Sequence, residues 1–234
     1  MISCVISDLD GTLLPHGKSA LSTDVLDTIS ALQNKGIAFC VASGRSYVQL
    51  KSLFSSLKKP IYYICCDGAL CVYKENTLFE TPFSSFPDLK ENQIAYGKYI
   101  VYATDKNEPF YRDTIKAYNG HVLPFSQAKN DKIYKLALYR EGIKNIDGLY
   151  KILRTNDWQE YVNTGVSKGV AVNKLQKLLN ITPEQTLILG DAKNDLPMTS
   201  FGTSVLIGNG FFGAKSHFKY QAKDFMSAIE NYCK

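Results

Sequence analysis

The stretch that most limits how this chain can fold is the apolar run at residues 2–6 together with the segment it leads into, Ser7-Asp8-Leu9-Asp10-Gly11-Thr12-Leu13-Leu14. A run of that length, closed by polar residues, reads as a buried strand and its exit. Side chains alternate along an extended chain. Asp8 and Asp10 therefore leave on one side and Leu9 on the other, while Gly11 admits a backbone turn that a side chain would resist. Two carboxylates this close repel unless a cation lies between them or one is protonated. An Asp-x-Asp-Gly is commonly a solvated Asx turn; it equally suits a Mg²⁺ site, or a nucleophile beside a general acid.

The order of elements around this stretch is that of an α/β fold. Ser22-Thr23-Asp24 supplies helix-capping side chains, and Val25, Leu26, Ile29 and Leu32 recur at helical spacing as far as Lys35-Gly36. The apolar run at 37–42 is a second strand, and strand, helix, strand at this spacing is a right-handed crossover in a parallel sheet. A helix over 46–57, a strand over 61–65 and a hairpin through Val72, Tyr73, Leu78 and Phe79 continue the pattern. Later come a helix over 168–179 with Val170, Val172, Leu175 and Leu178 as its buried face, a strand over 186–189 closed by Gly190-Asp191, a strand over 204–207, and a last helix carrying Phe225, Ile229 and Tyr232. The prediction is a doubly wound parallel sheet, in which ligands gather at the carboxyl ends of the strands. Asp8, Ser43, Asp67 and Asp191 all fall there.

Between residues 82 and 164 the composition shifts toward tyrosine, lysine and scattered prolines, with no internal repeat or low-complexity tract. Strands are expected over 99–103, 132–139 and 158–162, and helices over 110–118 and 146–153, making a small second α/β unit.

The formal net charge of +5 comes from lysines spread along the chain without a dense basic run, so a nucleic-acid groove is not indicated and a mild field attracting anionic metabolites is. Cys4, Cys40, Cys65, Cys66 and Cys71 lie in apolar, strand-like runs, and with Cys233 they are read as reduced residues of a cytoplasmic protein. No stretch reads as a signal peptide or a membrane span. His16, His121 and His217 lack metal-ligand spacing.

Four segments in this order, Asp8-Leu9-Asp10-Gly11, Ala42-Ser43-Gly44-Arg45, Lys168-Gly169 and Gly190-Asp191-Ala192-Lys193-Asn194-Asp195, resemble the haloacid dehalogenase (HAD) superfamily of phosphohydrolases. Their details are similar to its Cof-type branch, with a type IIB cap. The resemblance implies a Rossmannoid catalytic core formed by 1–81 and 165–234, and a mobile α/β cap inserted as 82–164. It implies a Mg²⁺-dependent phosphohydrolase that cleaves small phosphorylated metabolites, sugar phosphates in particular, through an aspartyl-phosphate.

Mapped onto this sequence, Asp8 is the nucleophile and Asp10 the general acid and base. Asp8 and Asp191 would hold Mg²⁺, and the resemblance adds the Asp10 backbone carbonyl. Ser43, Gly44 and Lys168 supply donors and positive charge to the phosphoryl oxygens, as the reaction requires. Asn194 would contact the phosphate and Arg45 would clamp substrate or cap, or else pair with a surface carboxylate. Thr12 and Asp195 stand behind these. Asp195 either holds a metal-bound water, orients Lys168, or is a helix N-terminal charge.

Asp67 departs from the branch, which usually carries Asn there. A phosphomannomutase-type phosphomutase is an alternative, although those enzymes resemble Gly-Gly-Ser at the second motif; a non-catalytic regulator on the same scaffold is another. Substrate choice falls to cap residues outside the motifs, with Tyr99, Tyr102, Tyr111, Trp158 and Tyr161 as candidate sugar-facing aromatics. No assembly state is implied.

Overall fold

A computed structural model describes residues 1–86, 92–139, 146, 148–154 and 158–233. In chain order its elements are β1 (Cys4–Ser7), α1 (Thr23–Asn34), β2 (Ala38–Ala42), α2 (Tyr47–Leu53), β3 (Tyr62–Cys65), β4 (Leu70–Tyr73), β5 (Asn76–Glu80), β6 (Asn92–Tyr96), β7 (Val101–Ala103), α3 (Glu108–Ala117) and β8 (Val122–Pro124). They continue with β9 (Lys135–Tyr139), β10 (Leu149–Arg154), β11 (Trp158–Asn163), α4 (Lys168–Leu179), β12 (Thr186–Gly190), β13 (Thr203–Ile207), β14 (Tyr220–Ala222) and α5 (Phe225–Tyr232). Short 3₁₀ turns fill several connections, the longest being Lys193–Phe201.

Eight strands form the larger sheet in the order β14-β13-β12-β1-β2-β3-β4-β5. It is parallel from β14 to β3 and ends in an antiparallel hairpin. Successive strand residues feed opposite faces. Val5, Phe39, Val41, Leu187 and Leu189 pack with Val25, Ile29 and Leu32 of α1 and Phe225 of α5. Cys4, Ile6, Cys40, Ala42 and Ile188 pack with Ala171, Val172 and Leu175 of α4. Each of the larger side chains among them, Val, Ile, Leu or Phe, contributes roughly 1.5–3 kcal/mol once buried. Near-continuous apolar strands are the form a parallel sheet covered on both faces must take. The order reverses between β1 and β12, so the switch point lies beside Asp8.

The smaller sheet has the order β10-β11-β9-β6-β7-β8 and is antiparallel except where β7 meets β8. Ala95, Tyr102, Leu136, Leu138 and Tyr161 cover one face with Phe83 and Phe125. Ile94, Tyr96, Ala137 and Val162 on the other face belong to the same apolar cluster as the larger sheet's α1 side. All six cysteines are free and five are buried. No helix among the described residues is long and apolar enough to cross a membrane.

Three expectations need correction. The helix predicted over 146–153 is the strand β10, paired with β11 from Leu149 opposite Asn163 to Arg154 opposite Gln159. Leu149 and Ile152 mimic helical spacing because they serve opposite faces of one strand, Leu149 the Tyr161 side and Ile152 the Tyr96 side. The helix predicted over 46–57 stops at Leu53. On α4 the buried face includes Lys168, Gly169, Ala171, Val172, Leu175 and Gln176, while Val170 is 41% and Leu178 58% exposed.

The reason for that rotation of α4 is Gly169, where a Cβ would lie only 2.0 Å from the Pro197 carbonyl oxygen. The missing side chain lets the first turn of α4 press against the 193–201 turn, and that contact turns Lys168 inward. Gly169→Ala is therefore expected to destabilise the protein by about 1–3 kcal/mol, the usual range for overpacking. Urea unfolding measures it; a variant as stable as the parent would show that the close approach is not a constraint.

Candidate active site

At the carboxyl end of β1, Asp8 is 5% exposed and donates its backbone N–H to the Leu189 carbonyl of β12 at 2.9 Å. Lys168, the first residue of α4, is 1% exposed. Its Nζ lies 2.5 Å from Asp8 Oδ1 and 2.7 Å from Asp195 Oδ1. The other oxygen of Asp195 accepts the backbone N–H groups of Asp191 and Ala192, at 3.0 and 2.9 Å. The geometry fits the second and third readings for Asp195 together: one oxygen holds Lys168, and the other accepts backbone N–H groups at the N-terminus of the 193–201 turn.

Asp191 closes β12 opposite Asp8, and Thr12 donates to its Oδ1 at 2.8 Å. Gly11, at φ +92°, permits this approach, because a Cβ there would meet the Asp191 carboxylate at 2.3 Å. Oxygens of Asp8, Asp191 and Asp195 lie within 4.8 Å of one another. Burial pushes the Asp8 carboxyl up to about 8, with Asp195 and Asp191 adding to the rise and Lys168 opposing it. Burial also raises Asp191. For Lys168, burial works against the charge, but Asp195 and Asp8 together hold its ammonium above the usual lysine range. Two carboxyls displaced upward in a cluster that holds one buried cation, which is bonded to Asp8 and Asp195, are short of positive charge. Hard oxygen donors in that condition suit Mg²⁺, and with both Asp195 oxygens engaged, Asp8 and Asp191 are the carboxylates placed to hold it.

A cavity of about 670 Å³ opens over this cluster, lined among others by Asp8, Asp10, Ser43, Gly44, Arg45 and Asn194. Ser43 is buried at the end of β2, and its Oγ accepts the Arg45 N–H at 3.2 Å. Arg45 reaches back to Asp10, Nη2 to Oδ1 at 2.5 Å and Nε to Oδ2 at 3.0 Å. The carboxylate that Arg45 pairs with thus lines the cavity, and Asp10 is not part of the cluster formed by the Asp8, Asp191 and Asp195 oxygens. Asn194 donates to Asp67 Oδ1 at 3.4 Å.

Sequence reasoning missed Lys135. It sits on β9 of the smaller sheet, is 2% exposed, and projects into the same cavity. Its Nζ donates to the Gly44 carbonyl at 2.9 Å and to Asp67 Oδ2 at 3.1 Å, and lies 2.7 Å from Glu160 Oε2 of β11. The departure at Asp67 thereby gains a partner. Burial alone would raise the Asp67 carboxyl, but Lys135 and then Lys168 outweigh it and hold it below the usual value. Burial holds Glu160 above its ordinary value despite Lys135. A signal was present: a charged residue at 135 inside the apolar run of 133–138 has to be paired when that strand is buried.

His16, also without an assigned role, lines the cavity, as do Tyr96, Tyr118 and Lys193. Of the aromatic candidates, Tyr102 and Tyr161 pack on the far face of the smaller sheet. Tyr99 stacks edge-on against Tyr47 of α2, and Tyr111 packs against the apolar cluster of the near face. Trp158 lines a second cavity on that near face.

The family model described as haloacid dehalogenase-like hydrolase matches residues 5–226. The 5-amino-6-(5-phospho-D-ribitylamino)uracil phosphatase YbjI of Escherichia coli strain K12 is 23% identical, over 94% of this chain and 90% of its own. Two solved structures share the fold. A protein of Streptococcus mutans UA159 superposes with TM-score 0.80 at 21% identity, covering 100% of this chain and 99% of the other. The HAD subclass IIB sugar phosphatase BT4131 does so with TM-score 0.77 at 17% identity, covering 99% of each chain.

Lys135 is the buried cation between Asp67 and Glu160, so Lys135→Met is expected to lower stability on the order of 3 kcal/mol, as removal of one member of a buried ion pair does. Asp67→Asn, which keeps a hydrogen-bonding oxygen, should cost about 1–3 kcal/mol at neutral pH. Because the Asp67 carboxyl is lowered in the folded state, its contribution is full above its unfolded value, about pH 4, and is lost as pH falls through the folded one. The stability gap between parent and Asp67→Asn should therefore narrow in acid, read by urea unfolding at pH 7 and pH 3. A gap that stays constant would mean that the Asp67 charge does not contribute.

Proposed function

The chain belongs to the haloacid dehalogenase-like hydrolase family, and on that footing we propose that it is a Mg²⁺-dependent phosphohydrolase of small phosphorylated metabolites, acting through an aspartyl-phosphate on Asp8. The observation that carries this reading is the placement of Asp8: buried at the sheet's switch point, bonded by Lys168, and lining a cavity with the Ser43–Arg45 turn. The sugar phosphatase and the ribitylaminouracil phosphatase among its relatives support phosphate esters of polyhydroxylated compounds as the substrate class.

Asp8 and Asp191 would hold the Mg²⁺, which when bound supplies positive charge beside the transferring phosphoryl oxygens. The chain's own groups then have separable tasks. An oxygen of Asp8 forms the bond to phosphorus as the bond to the ester oxygen breaks. Lys168 opposes protonation of Asp8 and orients it, and the Ser43 hydroxyl and Gly44 amide are positioned to donate to equatorial oxygens. Asp10 gives a proton to the departing oxygen and later takes one from the water that attacks the acyl phosphate, returning Asp8 and releasing phosphate. Arg45 spans both oxygens of Asp10 here, so Asp10 must turn off the guanidinium to reach that leaving oxygen.

Residues 82–164 act in this reading as a lid. Lys135 supports it, since this side chain of the smaller sheet bonds both Gly44 and Asp67 of the larger one and so draws the two together over Asp8. Closure excludes water other than the attacking one and limits the site to small esters.

Asp8→Asn should abolish phosphate release from any ester while leaving the melting temperature near the parent value, because an amide neither attacks phosphorus nor replaces a carboxylate ligand. Turnover by that variant would rule out the covalent route. Asp10→Asn should slow turnover by on the order of 10²–10⁴-fold, most for esters with poor leaving groups. Phosphate release should also disappear in excess chelator and return with Mg²⁺; activity that persists without divalent metal would remove the metal from the proposal.

A further inference from the structure

Lys135 lines the cavity over Asp8, yet its ammonium has no donor left to give a substrate. The group carries three N–H bonds and meets three acceptors: the Gly44 carbonyl at 2.9 Å, Asp67 Oδ2 at 3.1 Å and Glu160 Oε2 at 2.7 Å. A buried cation saturated by the protein acts through what it holds. Asp67 and Glu160 balance its charge, which leaves the Gly44 carbonyl, on the turn after β2, as the group through which it reaches the phosphoryl site. Ionised Asp67 only accepts, so the donor to that carbonyl has to come from Lys135.

The Gly44 carbonyl and the Arg45 N–H are the two sides of one planar peptide unit. Lys135 fixes the carbonyl, and the N–H donates to Ser43 Oγ at 3.2 Å. Ser43 is buried and lines the cavity, and among the described residues no acceptor takes its hydroxyl proton. With the oxygen engaged by Arg45, that proton is left for the cavity. The turn is also gripped from behind. Cys66 and Asp67 are successive residues in the left-handed region, at φ +50° and +55°, a conformation that persists in non-glycine residues only where neighbouring contacts impose it. Their backbone N–H groups donate to the Arg45 and Ser43 carbonyls, each at 3.0 Å. A Cβ on Gly44 would lie 2.9 Å from Asp67 Oδ2 and 3.2 Å from Lys135 Nζ, so the turn runs directly against the pair.

We propose that Lys135 is a positioning residue for phosphoryl transfer, acting from the smaller sheet through the Gly44–Arg45 peptide to aim the Ser43 hydroxyl at the phosphoryl oxygens. The proposal rests on the phosphohydrolase reading and adds to it a residue that touches neither substrate nor metal. Ser43 is the group that meets the phosphate; Lys135 sets where its proton points.

With Mg²⁺ present, and well below the melting temperature of each protein, Lys135→Met should lower kcat by roughly 10- to 100-fold, the cost of a small misplacement. The factor should be the same for an aryl phosphate and a hexose phosphate, because the phosphoryl oxygens are common to both. A side chain that only held the lid would affect the two esters unequally, and one that only stabilised the fold would spare both. The Ser43→Ala protein decides the route. In that background Lys135→Met should cost less than about threefold more, since the hydroxyl it aims is gone. Unequal losses on the two esters, an unchanged kcat, or losses that multiply in the double variant would each overturn the proposal. Lys135→Arg, which keeps the charge between Asp67 and Glu160 but moves the donor, enters the same cycle if Lys135→Met does not fold.

If the parent hydrolyses neither ester, it is the phosphohydrolase reading that has failed, and binding still judges Lys135. Inorganic phosphate titrated calorimetrically into the four Mg²⁺-loaded proteins should bind more weakly after Lys135→Met only where Ser43 is present. Equal weakening in the Ser43→Ala background, or none in either, overturns the positioning role.

Discussion

Everything around the candidate site depends on one buried cation, the Lys168 ammonium held between Asp8 and Asp195. It ties together the end of β1, the start of α4 and the turn after β12, segments far apart in sequence. Without it, three carboxylates with oxygens within 4.8 Å of one another would have to share protons or spread apart. Asp195 passes the constraint on: its second oxygen fixes the backbone at Asp191 and Ala192, which sets where the Asp191 carboxylate points. Gly169 is the steric counterpart, since only a residue without Cβ lets α4 come close enough to Pro197 for Lys168 to reach inward.

Lys135 repeats the arrangement between the two sheets. It too is an almost fully buried ammonium between two carboxylates, Asp67 and Glu160, but here the partners sit on different sheets. Desolvating three charges is expensive, and an apolar contact could hold two surfaces together at less cost. What the charges add is register, because Lys135 meets Asp67 and the Gly44 carbonyl in one relative placement of the sheets. The same placement puts Tyr96, Tyr118 and Glu160 between two cavities.

The two cations differ in what they leave available. Lys168 reinforces a cluster whose Asp8 and Asp191 carboxyls both stay above their usual range, a deficit of positive charge that a divalent ion is suited to fill. Around Asp67, Lys135 and Lys168 with the hydrogen bonds to that carboxylate together outweigh its burial, and it is held below its usual range. One cluster is poised for chemistry and the other for holding.

The chain's own residues determined most of the larger sheet, though not its edge strand β14, because its strands and helices obey local rules: continuous apolar runs for strands covered on both faces, capping residues and helical spacing for α1, helical spacing for α5, and carboxylates at strand ends. The motif residues were legible for the same reason, Asp8, Ser43 and Asp191 at strand exits and Lys168 at a helix start. The smaller sheet was less so. Leu149 and Ile152 serve opposite faces of β10 and imitate a helix, and β6 was not anticipated. Only the tertiary structure decided that Arg45 pairs with Asp10, that Asp195 grips Lys168 and the Asp191 loop, and that Lys135 joins Asp67 to Glu160. Apart from the Asp195 bonds to the Asp191 loop, those contacts link residues 25 to 68 positions apart, and the identity of a charged residue does not say which opposite charge burial will force it to meet.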